Sequence, residues 1–336
     1  MSPEYQIGEG SLEALFAAIT ADGRRIWGPR AAAGCIEIGE IRSAGELARD
    51  QVHPISSAKA AAFPRVEKIL SYRMDGKDVA IDDPPLPARP TVLFGLRPCE
   101  ARGFCALGTI LNWGTPDRFF NARMERTTVV SIACTRSDEA CFCTAVGGGP
   151  DHPAGSDLLL HPLAQGGYDV VVLSDKGRAL VALAPDRFEP ARGAARIALA
   201  KIEAEFQAQE ITEQLPRLFD HPIWSEQSLR CLGCGACAYV CPTCACFDIQ
   251  DEADARRGVR LRCWDSCAFR LFTLHASGHN PRETQGQRWR QRVQHKFSYM
   301  PERLGVLGCV GCGKCSRACP VDMDFKEHLT EIAKFS

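Results

Sequence analysis

Two cysteine runs carry the most specific chemistry in this chain. Cys231, Cys234, Cys237 and Cys241 precede Pro242, and Cys309, Cys312, Cys315 and Cys319 precede Pro320. Each is a C-x2-C-x2-C-x3-C-P run, the bacterial ferredoxin spacing for a [4Fe–4S] cluster. The short loops let three thiolates converge on one cube, and the x3 step carries the fourth cysteine beyond it. In two-cluster domains that fourth cysteine ligates the other cluster. The spacing therefore assigns Cys231, Cys234, Cys237 and Cys319 to one cluster, and Cys309, Cys312, Cys315 and Cys241 to a second. Gly235 and Gly313 read as points where backbone comes close to inorganic sulfide. A single run is compatible with zinc, but two complete copies in one chain favour iron and sulfide.

Other thiols are less regularly spaced. Residues 91–96 and 128–133 read as buried strands. The first delivers Arg97-Pro98-Cys99-Glu100, the second Cys134, and Cys141-Phe142-Cys143 follows soon after. We expect Cys99, Cys134, Cys141 and Cys143 to hold a third [4Fe–4S] cluster. A C-x-C pair also suits zinc, and the bland alternative is four unrelated core cysteines. Cys244, Cys246, Cys263 and Cys267 could bind one more cluster or a zinc ion. With all eight ligands for two cubes already supplied, they read instead as contacts that tune potential. Cys35 and Cys105 read as packing residues, as do Trp264, His275 and His279, with capping as a second use. The run Gly147-Gly148-Gly149 lacks the Lys-Ser/Thr of a phosphate loop and the dinucleotide pattern. The basic, aromatic stretch 287–292 reads as a solvated or subunit-facing helix side, not a nucleic-acid surface.

The elements that must position these thiols suggest an α+β chain. Residues 1–220 read as a mixed α/β domain carrying the third cluster. Residues 221–336 read as a mostly α-helical two-cluster ferredoxin domain. Helices are expected at 10–19 with Ser11 as N-cap, at 43–51, after Glu100 through 106–111, at 194–218 broken at Pro216, and at 265–277, 281–296 and 322–334. Strands are expected at 91–96, 128–133, 157–160 and 168–173, with 178–184 returning in a small meander. Residues 83–90 form a proline-rich connector.

The 336 residues allow two or three domains, and 45% hydrophobic with 24% charged residues is ordinary for a globular protein. The formal net charge of −1 gives no basis for a search of nucleic acid or anionic membrane. No apolar run reaches spanning length, and the first residues lack the basic and apolar regions of a signal peptide. The 18 cysteines, many at C-x2-C spacing, argue for metal in a reducing cytoplasm rather than for disulfides.

Several further motifs occur in a fixed order: Phe94-Gly95-Leu96-Arg97-Pro98-Cys99-Glu100, Cys141-Phe142-Cys143, Cys241-Pro242-Thr243-Cys244-Ala245-Cys246-Phe247-Asp248, Trp264-Asp265-Ser266-Cys267 and Gly278-His279-Asn280. With both cluster runs, this order resembles the iron–sulfur β subunit of cytoplasmic NAD(P)-linked [NiFe] hydrogenases, the sulfhydrogenases. The electron-transfer subunit of anaerobic sulfite reductase belongs to the same broad group. The likeness runs from the Phe63-Pro64 region to Pro320. It departs where Glu100 replaces the commoner Asp and where Cys263 adds a thiol beside Trp264. The resemblance implies an electron-transfer role between a hydrogenase small-subunit-like or reductase partner and an FAD/NAD(P)-binding subunit. It also implies cluster capacity beyond the ferredoxin pair. The alternatives are the equivalent subunit of sulfite reductase, or a cluster-based sulfur or polysulfide reductase acting itself. No catalytic triad, paired acid/base carboxylates or nucleotide fingerprint points to a substrate site in this chain.

Overall fold

In the computed structural model, residues 3–49, 51–87 and 89–335 are described. Asp50 of the expected 43–51 helix and Ala88 of the connector lie outside them. The first half of the chain runs β1 (Tyr5–Ile7), α1 (Leu12–Ala21), β2 (Arg25–Ala32), β3 (Cys35–Ile41), β4 (Val66–Asp75), β5 (Asp78–Asp82), β6 (Thr91–Leu96) and α2 (Pro98–Leu111). It continues through α3 (Arg118–Glu125), β7 (Thr127–Ile132), β8 (Leu158–Pro162), β9 (Tyr168–Val172), α4 (Asp175–Val181) and β10 (Glu189–Pro190). Then come α5 (Ala208–Gln214), α6 (Ile223–Gln227), α7 (Ala236–Tyr239), β11 (Phe247–Ala253) and β12 (Arg257–Trp264). The chain closes with α8 (Gln285–Gln294), α9 (Met300–Leu304), α10 (Lys314–Arg317) and α11 (Phe325–Ala333).

The fold is mixed α/β on two sheets. The larger has the strand order β10-β1-β9-β8-β7-β6-β2-β3. Its centre, β2, β6, β7 and β8, is parallel, and the flanking pairs are antiparallel. Continuous apolar runs such as Thr91–Leu96 suit a sheet buried on both faces. Alternation sorts β6: Val92 and Phe94 join the core formed with α1, whereas Leu93 and Leu96 join the core formed with α2 and α3. Gly95, at φ +81°, marks a register shift against β7 and keeps Leu96 on the second face.

The smaller sheet has the order β11-β12-β4-β5 and is antiparallel throughout. Two of its strands come from before residue 220 and two from after it, so the expected mostly α-helical ferredoxin region carries a β-hairpin. The Arg262 guanidinium anchors this sheet. It is buried between Glu67 of β4 and Asp117 at the N-cap of α3. Arg123 of α3 reaches the same Glu67 at 2.5 Å. A third apolar core gathers Phe142, Trp224, Trp289, Val293, Phe297, Phe325 and Leu329 around the ferredoxin runs.

Several expected elements are placed differently, some by a competing hydrogen bond. Among the described residues of the 43–51 segment only a 3-10 turn, Ala44–Glu46, forms, as Ala48 N donates to Pro29 O on β2. Ser11 makes no side-chain cap; a 3-10 turn at Glu9–Ser11 runs straight into α1. Residues 178–184 do not return as a strand. Ser174 caps α4 instead by accepting from Gly177 N at 3.2 Å. The expected 194–218 helix shrinks to α5, since Ile197 N bonds Pro162 O and Ala200 N bonds Cys134 O. Residues 265–277 form successive turns around Asn280, which donates to Arg270 O and accepts from Thr273 Oγ1. The helix expected to follow Glu100 through 106–111 includes the Pro98-Cys99-Glu100 segment itself, starting at Pro98, where a missing N–H costs nothing.

Candidate iron–sulfur centres

Strand order explains how Cys99 and Cys134 meet. β6 and β7 are parallel neighbours, with Leu96 opposite Ser131. The chain leaves both at the same sheet edge, at the carboxyl ends where α/β sheets open a crevice. Cys99 lies in the first turn of α2, not in a loop, and Cys134 lies two residues past β7. The following loop returns with Cys141 and with Cys143, the first residue of a 3-10 turn. Cys99 is near Cys134 and Cys143, and Cys134 is near Cys143 and Cys141. Burial pushes the Cys134 and Cys143 thiols up to about 11 and Cys99 well above the usual thiol range. Arg97 opposes the shift at Cys134, and Arg317 donates to Cys141 Sγ at 3.1 Å. His53, half-buried, places Nε2 3.5 Å from Cys99 Sγ. These four thiols are thus brought together from three separate segments.

The two ferredoxin runs face one another. Cys231, Cys234, Cys237 and Cys319 line one cavity, with Cys315, Trp289 and Arg292 also in its wall. Gln285 Nε2 donates to Cys231 Sγ at 3.0 Å. Cys309 and Cys312 each lie near both Cys315 and Cys241. Burial pushes Cys237 and Cys309 up to about 11. The second run adjoins the third thiol group: Cys99, Cys143, Val310 and Cys312 pack as one group.

The glycines of the runs also pack closely against protein. Gly311 and Gly313 have φ of +66° and +65°. A Cβ on Gly311 would stand 2.5 Å from Cys143 Cα, and one on Gly313 2.2 Å from Ala140 O. The second run is therefore pressed against the Cys141–Cys143 loop, and Phe142 N donates to Gly311 O at 2.9 Å. At Gly235, φ +74°, the neighbour is the Phe269 ring.

Sequence reasoning missed the buried cations. Lys296 donates to Cys241 Sγ at 3.4 Å, Thr243 Oγ1 at 3.0 Å and Gly308 O at 2.7 Å. Burial alone would lower its pKa, but the Cys241 and Cys244 thiolates outweigh that and raise it. Arg292 donates to Cys244 Sγ at 3.6 Å and to Cys237 O at 3.2 Å. Lys59 donates to Ala238 O and Cys244 O, both at 3.0 Å, with its ammonium 4.1 Å from the Trp264 ring centre. Lys314 pairs with Glu100 at 2.5 Å, both side chains buried. The stretch 287–292 is correspondingly not a solvated face, since Arg288, Trp289 and Arg292 are buried. A signal was present: Trp289, Arg292, Val293 and Lys296 share one helix face by their i, i+3, i+4 and i+7 spacing. Two cations on an apolar stripe require buried anions. Cys35 donates to Ala32 O, and Cys105 sits exposed on α2, so neither joins the thiol groups.

The donor set fits clusters better than single ions. Among the described residues, no three Cys, His, Asp or Glu groups converge closely enough to share one metal ion. Tetrahedral zinc would need sulfurs about 3.8 Å apart, given Zn–S bonds of about 2.3 Å. Arg102 Nη1 and Arg292 Nε are buried donors without an acceptor among the described residues, and both side chains stand beside these thiols. Sulfide of a cluster is an acceptor of the right kind.

Fold and donor set together define an iron–sulfur protein of the four-iron class, and residues 230–323 match the family of 4Fe-4S dicluster domains. The chain is 30% identical to Sulfhydrogenase 2 subunit beta of Pyrococcus furiosus over 319 residues, 92% of each chain. It belongs to the sulfhydrogenase β-subunit family of iron–sulfur proteins. No solved structure matches it. Among the described residues, no helix is long and apolar enough to cross a membrane.

Proposed function

We propose that the chain is the iron–sulfur relay of a multisubunit cytoplasmic oxidoreductase. It would pass electrons between a subunit handling flavin and NAD(P)H and a partner subunit, foremost that of a [NiFe] hydrogenase. Cys231, Cys234, Cys237 and Cys319 hold one cluster; Cys309, Cys312, Cys315 and Cys241 hold a second; Cys99, Cys134, Cys141 and Cys143 hold a third. Bound clusters supply one-electron steps, which a flavin hydride donor requires of its acceptor. The chain's own residues exclude water, orient the thiolates and supply positive charge at Cys241 and Cys141. The division into units at about residue 220 is part of this proposal.

The observation that carries the reading is the contiguity of the three thiol groups. Cys312 packs with Cys99 and Cys143, and Cys315 lies near Cys237. A relay needs that adjacency; three isolated structural sites would not. Likeness to a sulfhydrogenase β subunit supports the hydrogenase partner over sulfite reductase.

The test is metal analysis of the chain and of the complex that co-purifies with it. Three four-iron cubes require at least about twelve irons per chain with matching sulfide. About four would remove the scheme. Nickel in the complex supports the hydrogenase assignment, and siroheme in its place would overturn it.

A further inference from the structure

The C-x-C at Cys244 and Cys246 lies outside the three quartets, as does Cys267, yet β11 and β12 bring them together. Cys246 immediately precedes β11, and Cys267 follows β12 by three residues. The strands pair from Phe247 opposite Trp264, so the open end of the hairpin brings Cys246 beside the segment that carries Cys267. Asp265 N closes that end on Cys246 O at 3.0 Å. The Cys246 and Cys267 thiols are within hydrogen-bond reach of one another, and Cys244 is near Cys246. All three are half-buried. Cys263 is excluded by strand alternation. Trp264 points inward, and Cys263 Sγ faces Gln250 Oε1 instead.

A second observation points to a ligand. Lys59, Arg292 and Lys296 are 3%, 3% and 4% exposed, and none pairs with a carboxylate among the described residues. Lys59 grips the Cys244 carbonyl, and Arg292 donates to the Cys244 thiol. Arg292 Nε has no acceptor among the described residues. Burying three cations without acidic partners is costly unless a lasting negative charge lies beside them. The ferredoxin pair answers Lys296 at Cys241 and Arg292 at Cys237. Among the described residues, Lys59 has only the Ala238 and Cys244 carbonyls as acceptors. It lies foremost beside Cys244, where thiolates on an iron–sulfur core would supply the charge.

We propose that Cys244, Cys246 and Cys267 bind a further cubane-type iron–sulfur cluster through three thiolates, beside Cys237 and Cys241 of the ferredoxin pair. The assignment rests on the iron–sulfur reading of the chain but not on its third quartet. Iron and acid-labile sulfide should be measured on the full-length protein and on a Cys246→Ser/Cys267→Ser variant. The expected result is a loss of about three to four irons per chain, with the ferredoxin-type signals in the reduced electron paramagnetic resonance spectrum retained. Cys263→Ser should leave the iron content unchanged. Iron equal to that of the unaltered protein in the double variant overturns the proposal. So does zinc at the site, or a Cys246–Cys267 disulfide found by thiol counting in the protein with its full iron complement. If the double variant does not fold, the unaltered protein and the Cys134→Ser/Cys141→Ser variant decide together: about fifteen to sixteen irons in the former, or about twelve that stay about twelve in the latter, support the further cluster, and about twelve that fall to about eight exclude it. A matched Cys134→Ser/Cys141→Ser variant reports separately on the third quartet, so failure of either site is distinguishable.

Discussion

At the scale of single residues, charge and burial around sulfur decide what the chain can hold. Lys296 is the clearest case, with its ammonium 3.4 Å from Cys241 Sγ. A buried positive charge favours the more negative, reduced form of a nearby cluster. Lys296→Gln should therefore make the potential of the site using Cys241 more negative, by on the order of 100 mV for a charge about 6 Å away at an effective dielectric of about 20. A redox titration followed by electron paramagnetic resonance measures it, and an unchanged potential would remove Lys296 from that role. The thiols themselves predict a pH effect. Burial raises Cys134, Cys143, Cys237 and Cys309 to about 11, from a usual 9.0. These groups are protonated in the metal-free chain at neutral pH and deprotonated when bound to iron. Loading with iron and sulfide should release protons, and affinity should rise with pH until about 11. A pH-stat titration during reconstitution checks this; loading without acid release would contradict it.

At the scale of elements, the glycines of the second run allow a close backbone approach to the Cys141–Cys143 loop. Gly313 combines a φ of +65° with a Cβ position 2.2 Å from Ala140 O. Gly313→Ala adds left-handed strain of about 1–2 kcal/mol and a backbone clash of about 1–3 kcal/mol. We expect a lower melting temperature together with iron loss, as the second run lifts from the Cys141–Cys143 loop. Iron content equal to the unaltered protein would mean the packing is dispensable. Spacing alone singled out the two runs because their geometry is local: three thiolates on one short loop need no distant partner. Local periodicity failed for the 265–277 segment and for the β11–β12 hairpin, where side-chain turn contacts and pairing with β4 overrode it.

At the scale of the whole molecule, the halves on either side of residue 220 share structure. β12 pairs with β4 along Arg257 to Cys263, and Trp264 Nε1 donates to Phe63 O at 3.1 Å. Lys314 and Glu100 form a buried ion pair across the same divide, and Lys314 also donates to Ser56 O at 2.6 Å. A fragment covering 221–336 would keep eight ferredoxin cysteines but leave Lys314 buried without its anion and one edge of β12 open. It should bind iron poorly and aggregate, as seen by iron per chain and by size-exclusion chromatography. A monodisperse fragment with about eight irons would establish an independent ferredoxin unit and the boundary near 220.

From the sequence alone follow the two ferredoxin runs, the buried strands leading to Cys99 and Cys134, and the family likeness. These depend on short-range spacing and on continuous apolar runs, both of which survive in one dimension. Tertiary structure decided the rest. Parallel pairing of β6 with β7 put Cys99 beside Cys134, and the β11–β12 hairpin put Cys246 beside Cys267 while turning Cys263 away. Folding of α8 and the helical turn after it against the thiols buried Arg292 and Lys296, whose lone charges in a linear sequence look like surface residues. Strand order and the face a helix buries are set by long-range packing, and no local spacing encodes them.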